Sequence, residues 1–230
     1  MRMRKKKNAD ARLASHEGLV LSQPESPIEG KAGRELYLEI GAGKGGFAIE
    51  MARRNENADY YAMERVRDCI VLAVEKADAE GRPANLRFII DGADNLPAWF
   101  ASGSVDRIYL NFSDPWHKKG YFKRRLTYRK YLSLYFTLLC DGGELCFKTD
   151  NAPLFDFSLE ELASVDLTPY LVTRDLHASP YAEGNVMTEY ERGFVAEGKP
   201  IHKLCVKKPA GYIPHYTEPK KAKAEAEEAL

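Results

Sequence analysis

From Glu35 onward, short β-rich apolar runs alternate with longer stretches in which apolar residues recur at helical spacing. The strand-like runs are ELYLEI (35–40), DYYAM (59–63), NLRFII (85–90), VDRIYLNF (105–112) and ELCFKT (144–149). Between and after them, Phe47 to Arg54, Cys69 to Glu80, Thr127 to Leu139 and Leu154 to Ala163 read as helices. An extended LTPYLVTRDL stretch (167–176) and a final strand near Ile201 to Val206 complete the pattern. Near-continuous apolar strands alternating with helices predict a parallel sheet covered on both faces, an α/β doubly wound fold. Before Glu35 the pattern fails. The first twelve residues carry six basic side chains against one Asp and read as a mobile arm, and Gln23 to Gly33, rich in Pro and Gly, reads as a linker. The expected organisation is a basic arm and linker (1–33), one catalytic-size domain (34–217) and a charged tail (218–230) of Lys, Glu and Ala.

Composition narrows the class without choosing within it. Hydrophobic residues at 44% and charged residues at 30% are ordinary for a folded globular chain. Lys plus Arg and Asp plus Glu are both 34, so the overall charge argues neither for nor against a polyanionic partner, and only its placement is informative. The four cysteines show no C-x-x-C pairing, and the N-terminus lacks the apolar run of a signal peptide. Reduced thiols in the cytoplasm are expected. No apolar stretch approaches the roughly 20 residues that cross a bilayer, and no His, Cys and Asp cluster has metal-ligand spacing, so neither a membrane role nor a metal is expected.

In an open α/β sheet the ligand lies outside the carboxyl ends of the strands, where strand order reverses. The first strand ends in LEIGAGKGGF (38–47), with Gly41, Gly43, Gly45 and Gly46 in one turn before a helix. Glycines there permit positive φ and close ligand approach. Gly41, Gly43 and Gly46 alone satisfy G-x-G-x-x-G, which suits a dinucleotide equally well. Three acids refine the reading: Glu39 before the glycines, Glu64 at the end of the second strand, and Asp91 at the end of the third. Glu64 is placed to accept from ribose hydroxyls and Asp91 from an adenine amino group. Each acid alone could be a solvated loop residue; together they favour a nucleoside site.

The fourth strand runs into NFSDPWHKKGYFKRRLTYRKY (111–131). Pro115 ends the strand, so the Asp114 carboxylate and the Trp116 indole are expected to face the cleft, one to accept from a base edge and one to stack on it. From Lys118 to Lys130 there are seven basic residues and no acid, interleaved with Tyr121, Phe122 and Tyr128. Like charges at a helix start are unfavourable without an anionic partner, which points to a nucleic-acid contact strip.

The sequence LEIGAGKGGF, the Glu 25 residues after Glu39, SDPWHKK followed by KRRL, CFKTDN and TEYERGF together resemble the bacterial tRNA (guanine-N7-)-methyltransferase family over roughly Arg34 to Lys207. The resemblance implies a class I S-adenosylmethionine-dependent methyltransferase fold with a seven-stranded sheet, acting at guanine 46 of the tRNA variable loop. It implies Glu39, Gly41, Gly43, Glu64, Asp91 and Asp114 at the cofactor, with Asp114 also catalytic. Lys118, Asp150, Thr188, Glu189, Tyr190 and Glu191 would bind substrate, and Gly120, Tyr121, Phe122, Lys123, Arg124 and Arg125 would contact RNA. The chain departs from the family pattern at His117, where Pro is usual, and at Gly120-Tyr121, where Arg-His or a close variant is usual. Either a monomer or a homodimer is compatible. Three other readings stay open on the residues alone: a methyltransferase on an exocyclic base amine, an NAD-dependent oxidoreductase on the glycines, and an RNA-binding protein with a degenerate cofactor site.

Overall fold

A computed structural model describes residues 6–216, and the charged tail lies outside the described residues. The strands are β1 (Val20–Leu21), β2 (Glu35–Ile40), β3 (Ala58–Met63), β4 (Leu86–Ile89), β5 (Val105–Asn111), β6 (Leu139–Thr149), β7 (Leu171–Thr173) and β8 (His202–Lys207). They form one sheet in the order β1-β4-β3-β2-β5-β6-β8-β7. β1 through β6 pair with one another in parallel, while β8 is antiparallel to both β6 and β7. Strand order reverses at β2, flanked by β3 and β5, so the ligand cleft belongs at the carboxyl ends of these three strands.

The helices are α1 (Ala9–Ala14), α2 (Gly46–Arg54), α3 (Arg67–Ala79), α4 (Leu96–Trp99), α5 (Arg129–Leu138), α6 (Ala152–Ala163) and α7 (Glu189–Ala196). Two apolar layers, one on each face of the sheet, explain why β2 reads as an almost unbroken apolar run. One is built on Leu36, Leu38 and Ile40 with α5 and α6, the other on Tyr37, Tyr60 and Phe88 with α2 and α3.

Two expectations change. The sheet has eight strands, because residues Val20 and Leu21 pair in parallel with Phe88 and Ile89 and add an outer edge to the expected seven. The basic segment is also not a free arm from residue 6 on. Leu13 is buried, Arg12 makes a two-pronged ion pair with Glu75 of α3 at 2.7 Å, and Arg82 donates to the Glu17 carbonyl. A six-residue helix with one large apolar side chain, Leu13, lacks a visible period, but it can dock on a helix already folded.

The turn after β2 is fixed from both sides. Gly41 and Ala42 donate to the Met63 carbonyl of β3, and Gly45 takes φ 74° directly against Ala73 of α3 and Phe88 of β4. A Cβ on Gly45 would lie 2.9 Å from the Ala73 Cβ and from the Phe88 ring. Gly45→Ala therefore combines left-handed strain with overpacking and should destabilise the fold by about 2 to 5 kcal/mol, read as a lower urea midpoint at unchanged m-value.

Candidate active site

A cleft of about 740 Å³ opens at the carboxyl ends of β2, β3, β4, β5 and β6, a size ordinary for a small-molecule site. Glu39, Gly41, Gly43, Glu64, Asp91, Asp114, Trp116, Asp150, Thr188, Glu189 and Tyr190 all line it. Lys118 and Glu191 do not.

Glu39 lies on the floor, 2% exposed. Asn111 of β5 donates to its Oε1 at 3.0 Å, while its Oε2 is buried without a hydrogen-bond partner. Burial raises its carboxyl to about 7, against the lowering effect of Asn111 and the Lys148 charge. This is a carboxylate held ready for a donor from the cleft. Asn111 was missed in the sequence, where its polarity at the end of an apolar strand was the available signal.

Glu64 and Asp91 are partly spent on local geometry. Glu64 accepts from the Gly43 and Val66 backbone N–H groups, at 3.1 and 2.8 Å, which ties the glycine turn to the end of β3. Asp91 accepts from Gly92, Asn95 and the Trp99 indole, each at 2.7 Å. Burial alone would raise its carboxyl, but these three donors hold it below the usual carboxylate range.

The segment after β5 is strained. Phe112 and Trp116 take φ 51° and 44°, left-handed values that cost about 1 to 3 kcal/mol each in residues other than glycine. Between them Asp114 is exposed at the cleft mouth. Arg125 holds the loop by donating to the Pro115 carbonyl at 2.9 Å, and its guanidinium lies 4.4 Å from the Phe157 ring centroid.

The basic strip divides in two. Arg129 gives its backbone N–H and a two-pronged guanidinium contact to Glu161, which is 5% exposed, and Lys130 pairs with Asp94. The anionic partner inferred for this helix start is thus supplied in part from within, by an acid on α6. Gly120 to Lys123 remain an exposed 3-10 turn, and Arg124 stacks on Trp116 and Tyr121.

The run from Thr188 to Glu191 opens α7, a helix the apolar pattern did not reveal. Thr188 accepts from the Glu191 N–H at 2.9 Å, and Glu191 reaches back to the Thr188 N–H, a capping box whose T-x-x-E signature was present in the sequence. Glu191 is fully buried and accepts from Lys148 and Asn185, both at 2.7 Å, and lies 3.0 Å from His177. Burial opposes its ionisation, but Lys148 and these hydrogen bonds hold its carboxyl below the usual range. Glu189 faces the other way, bridging Lys76 of α3 and Lys44 of the glycine turn. Tyr190 is 66% exposed beside it. α7 is therefore fixed from beneath by Glu191 and latched across the cleft by Glu189.

This architecture is that of the class I S-adenosylmethionine-dependent methyltransferases. The solved 16S rRNA methyltransferase KamB superposes with a TM-score of 0.59 over 90% of this chain and 95% of its own, at 13% identity. TrmN from Thermus thermophilus gives 0.54 over 87% of this chain and 48% of its own, at 22% identity. The profile of the family described as "Putative methyltransferase" matches residues 33–204. A tRNA (guanine-N(7)-)-methyltransferase from Geobacillus sp. (strain WCH70) is 43% identical over 215 residues, 91% of this chain and 96% of that protein. The chain belongs to the tRNA (guanine-N7-)-methyltransferase family. Among the described residues no helix is long and apolar enough to cross a membrane, and no group of three or more His, Cys, Asp or Glu residues is arranged to hold a metal ion.

Removing one partner of a buried ion pair leaves the other charge uncompensated. Glu191→Ala should cost about 3 to 5 kcal/mol of unfolding free energy, and Lys148→Met combined with Glu191→Gln should cost clearly less than the sum of the single changes. Urea unfolding of the wild type, Glu191→Ala, Lys148→Met, Glu191→Gln and the double variant checks it; strict additivity would mean the two side chains do not interact.

Proposed function

We propose that the cleft binds S-adenosylmethionine against β2, β3 and β4, and presents a guanine of tRNA between Trp116 and α7 for methylation at N7. The chain is an S-adenosylmethionine-dependent tRNA (guanine-N7-)-methyltransferase. The observation that carries the site assignment is the unpartnered, buried Glu39 Oε2 at the foot of an open glycine turn. The cofactor brings an ammonium group, ribose hydroxyls and an adenine amine, and these donors suit acceptors spaced along three strand ends. Gly41 and Gly43 leave room, since a Cβ on either would meet no protein atom within 4 Å. Glu39 suits the ammonium, Glu64 the ribose and Asp91 the adenine edge.

When bound, S-adenosylmethionine supplies an electrophilic methyl group on a positively charged sulfur. Guanine N7 carries an in-plane lone pair and no proton, so no residue here need act as a base toward it. The protein's part is to position and to exclude water. Holding the reacting atoms in line at near-attack distance contributes about 7 to 11 kcal/mol in well-oriented systems. Asp114, at the cleft mouth, accepts from the guanine N1–H and amino edge and favours the positive charge that grows on the ring. Asp150, at the end of β6, and Thr188 face the same space and complete the base pocket. Glu191 supports α7 from below instead of touching the base. Lys118 and the exposed turn from Gly120 to Lys123 lie beside the mouth and face RNA phosphates, while Arg125 braces that loop from within, and guanine 46 of the variable loop is the target.

Glu39 gives a pH signature. Its raised pKa means that the folded, cofactor-free protein holds a proton that the unfolded chain releases between pH 4.5 and about 7, so this group's contribution to stability falls as pH rises through that window. Binding a cation requires the ionised form. Cofactor affinity should rise with pH and level off above about 7, and Glu39→Gln should bind weakly without that rise, as calorimetric titration across pH would show.

Among the basic residues, Lys118→Ala and Lys123→Ala should each reduce the slope of log K against log salt for tRNA binding by about 0.7 to 0.9. An unchanged slope would mean these lysines face no phosphate. The reaction itself is read by incubating methyl-labelled cofactor with unmodified tRNA, digesting the RNA and identifying the labelled nucleoside. The expected product is 7-methylguanosine, absent with Asp114→Ala; label in an N-methylated base would move the chemistry to an exocyclic amine.

A further inference from the structure

Trp116 lines the cleft from a left-handed backbone position, and a planar cation already sits on it. The Arg124 guanidinium lies 5.1 Å from the Trp116 ring centroid and 4.6 Å from that of Tyr121, with the two rings edge to face at 5.9 Å. Both distances are within the range at which a cation is attracted to the face of an aromatic ring. Arg124, unlike its neighbour Arg125, has no hydrogen-bonded anchor among the described contacts. Its partners are these two rings.

A guanidinium and a guanine methylated at N7 have chemistry in common. Each is flat, delocalised and positively charged, and each presents N–H donors along its rim. As the N7 lone pair forms its bond to the methyl carbon, the base loses no proton and becomes a cation, while the electron pair of the broken carbon–sulfur bond stays on sulfur. A neutral guanine gains only stacking from an indole; the same ring carrying positive charge gains a cation–π attraction as well. An interaction stronger in the transition state than in the bound substrate raises the rate of the chemical step.

We propose that Trp116 is a further catalytic residue, a cation–π platform that favours the charge developing on the guanine, and that Arg124 occupies this platform until the base displaces it. The proposal rests on the N7 reading given above and assigns a role to a side chain that the acidic site residues do not cover. It also gives a use to the strained backbone at Trp116, whose ring lines the cleft.

Two readouts test it. Equilibrium dialysis at mildly acidic pH, with the enzyme saturated in S-adenosylhomocysteine, compares labelled 7-methylguanosine with labelled guanosine. The wild-type protein should prefer the methylated, cationic nucleoside, and Trp116→Leu should reduce that preference roughly tenfold, leaving only the part that Asp114 supplies. In single-turnover reactions on tRNA, Trp116→Leu should lower the rate constant roughly tenfold, with Trp116→Phe intermediate and with tRNA affinity little changed, because Trp is the best and Phe a weaker cation–π partner. Cofactor binding by each variant establishes that it is folded. If the wild type forms 7-methylguanosine but shows no preference for the cationic nucleoside, or Trp116→Leu keeps the wild-type rate constant, Trp116 is only a packing residue and this inference falls alone. A labelled product other than 7-methylguanosine would instead overturn the N7 reading.

Discussion

Beneath the floor of the cleft lies an ammonium group that water does not reach. The Lys148 side chain is 5% exposed near the carboxyl end of β6, and a charge so placed is tolerable only when neutralised and fully hydrogen-bonded. Its partners come from far along the chain: Glu191, the Asn185 side chain and the Val186 carbonyl. Satisfying one lysine therefore draws the whole segment from residue 185 to 191 down onto the sheet. That segment starts α7, so the same contact brings Thr188, Glu189 and Tyr190 to the cleft edge. Lys148 also lies close enough to Glu39 to favour its ionised form, which couples the anchor to the residue proposed for the cofactor.

The sheet was legible because its strands obey a simple rule. Covered on both faces, β2, β5 and β6 each carry an apolar run, and a polar residue at the end of that run then stands out. Glu39, Glu64, Asp91 and Asp114 were visible for that reason, and all four line the cleft. What was not legible depended on partners distant in sequence. Lys148 inside ELCFKT and Glu161 on α6 carry no local signal of their roles, although both are buried counter-charges. α1 and β1 are too short to show a period, and they fold by docking against α3 and β4. For α7 the signal existed. The T-x-x-E capping box announces a helix start, but the same four residues also belong to a family motif, and the two meanings are not exclusive.

The basic strip shows how charge in a sequence can serve two ends. Seven positive side chains between residues 118 and 130 suggest a single polyanion surface. In the folded chain Arg125, Arg129 and Lys130 are taken up by a carbonyl, a buried carboxylate and an exposed one, and they brace the loop and the start of α5. Lys118, Lys123 and Arg124 hold the outer position. A surface that must grip a flexible polyanion needs a rigid footing, and here the chain builds the footing and the grip from one run of like residues.

The left-handed backbone at Phe112 and Trp116 has an implication for how such a chain can change over time. Glycine or asparagine at either position would relax the backbone, so selection for thermal tolerance alone would favour replacing both aromatics. Persistence of bulky rings at such costly positions would then mark a standing trade of robustness for turnover. The segment flanking Asp114 is a place where stability is given up that a different choice of residues would recover.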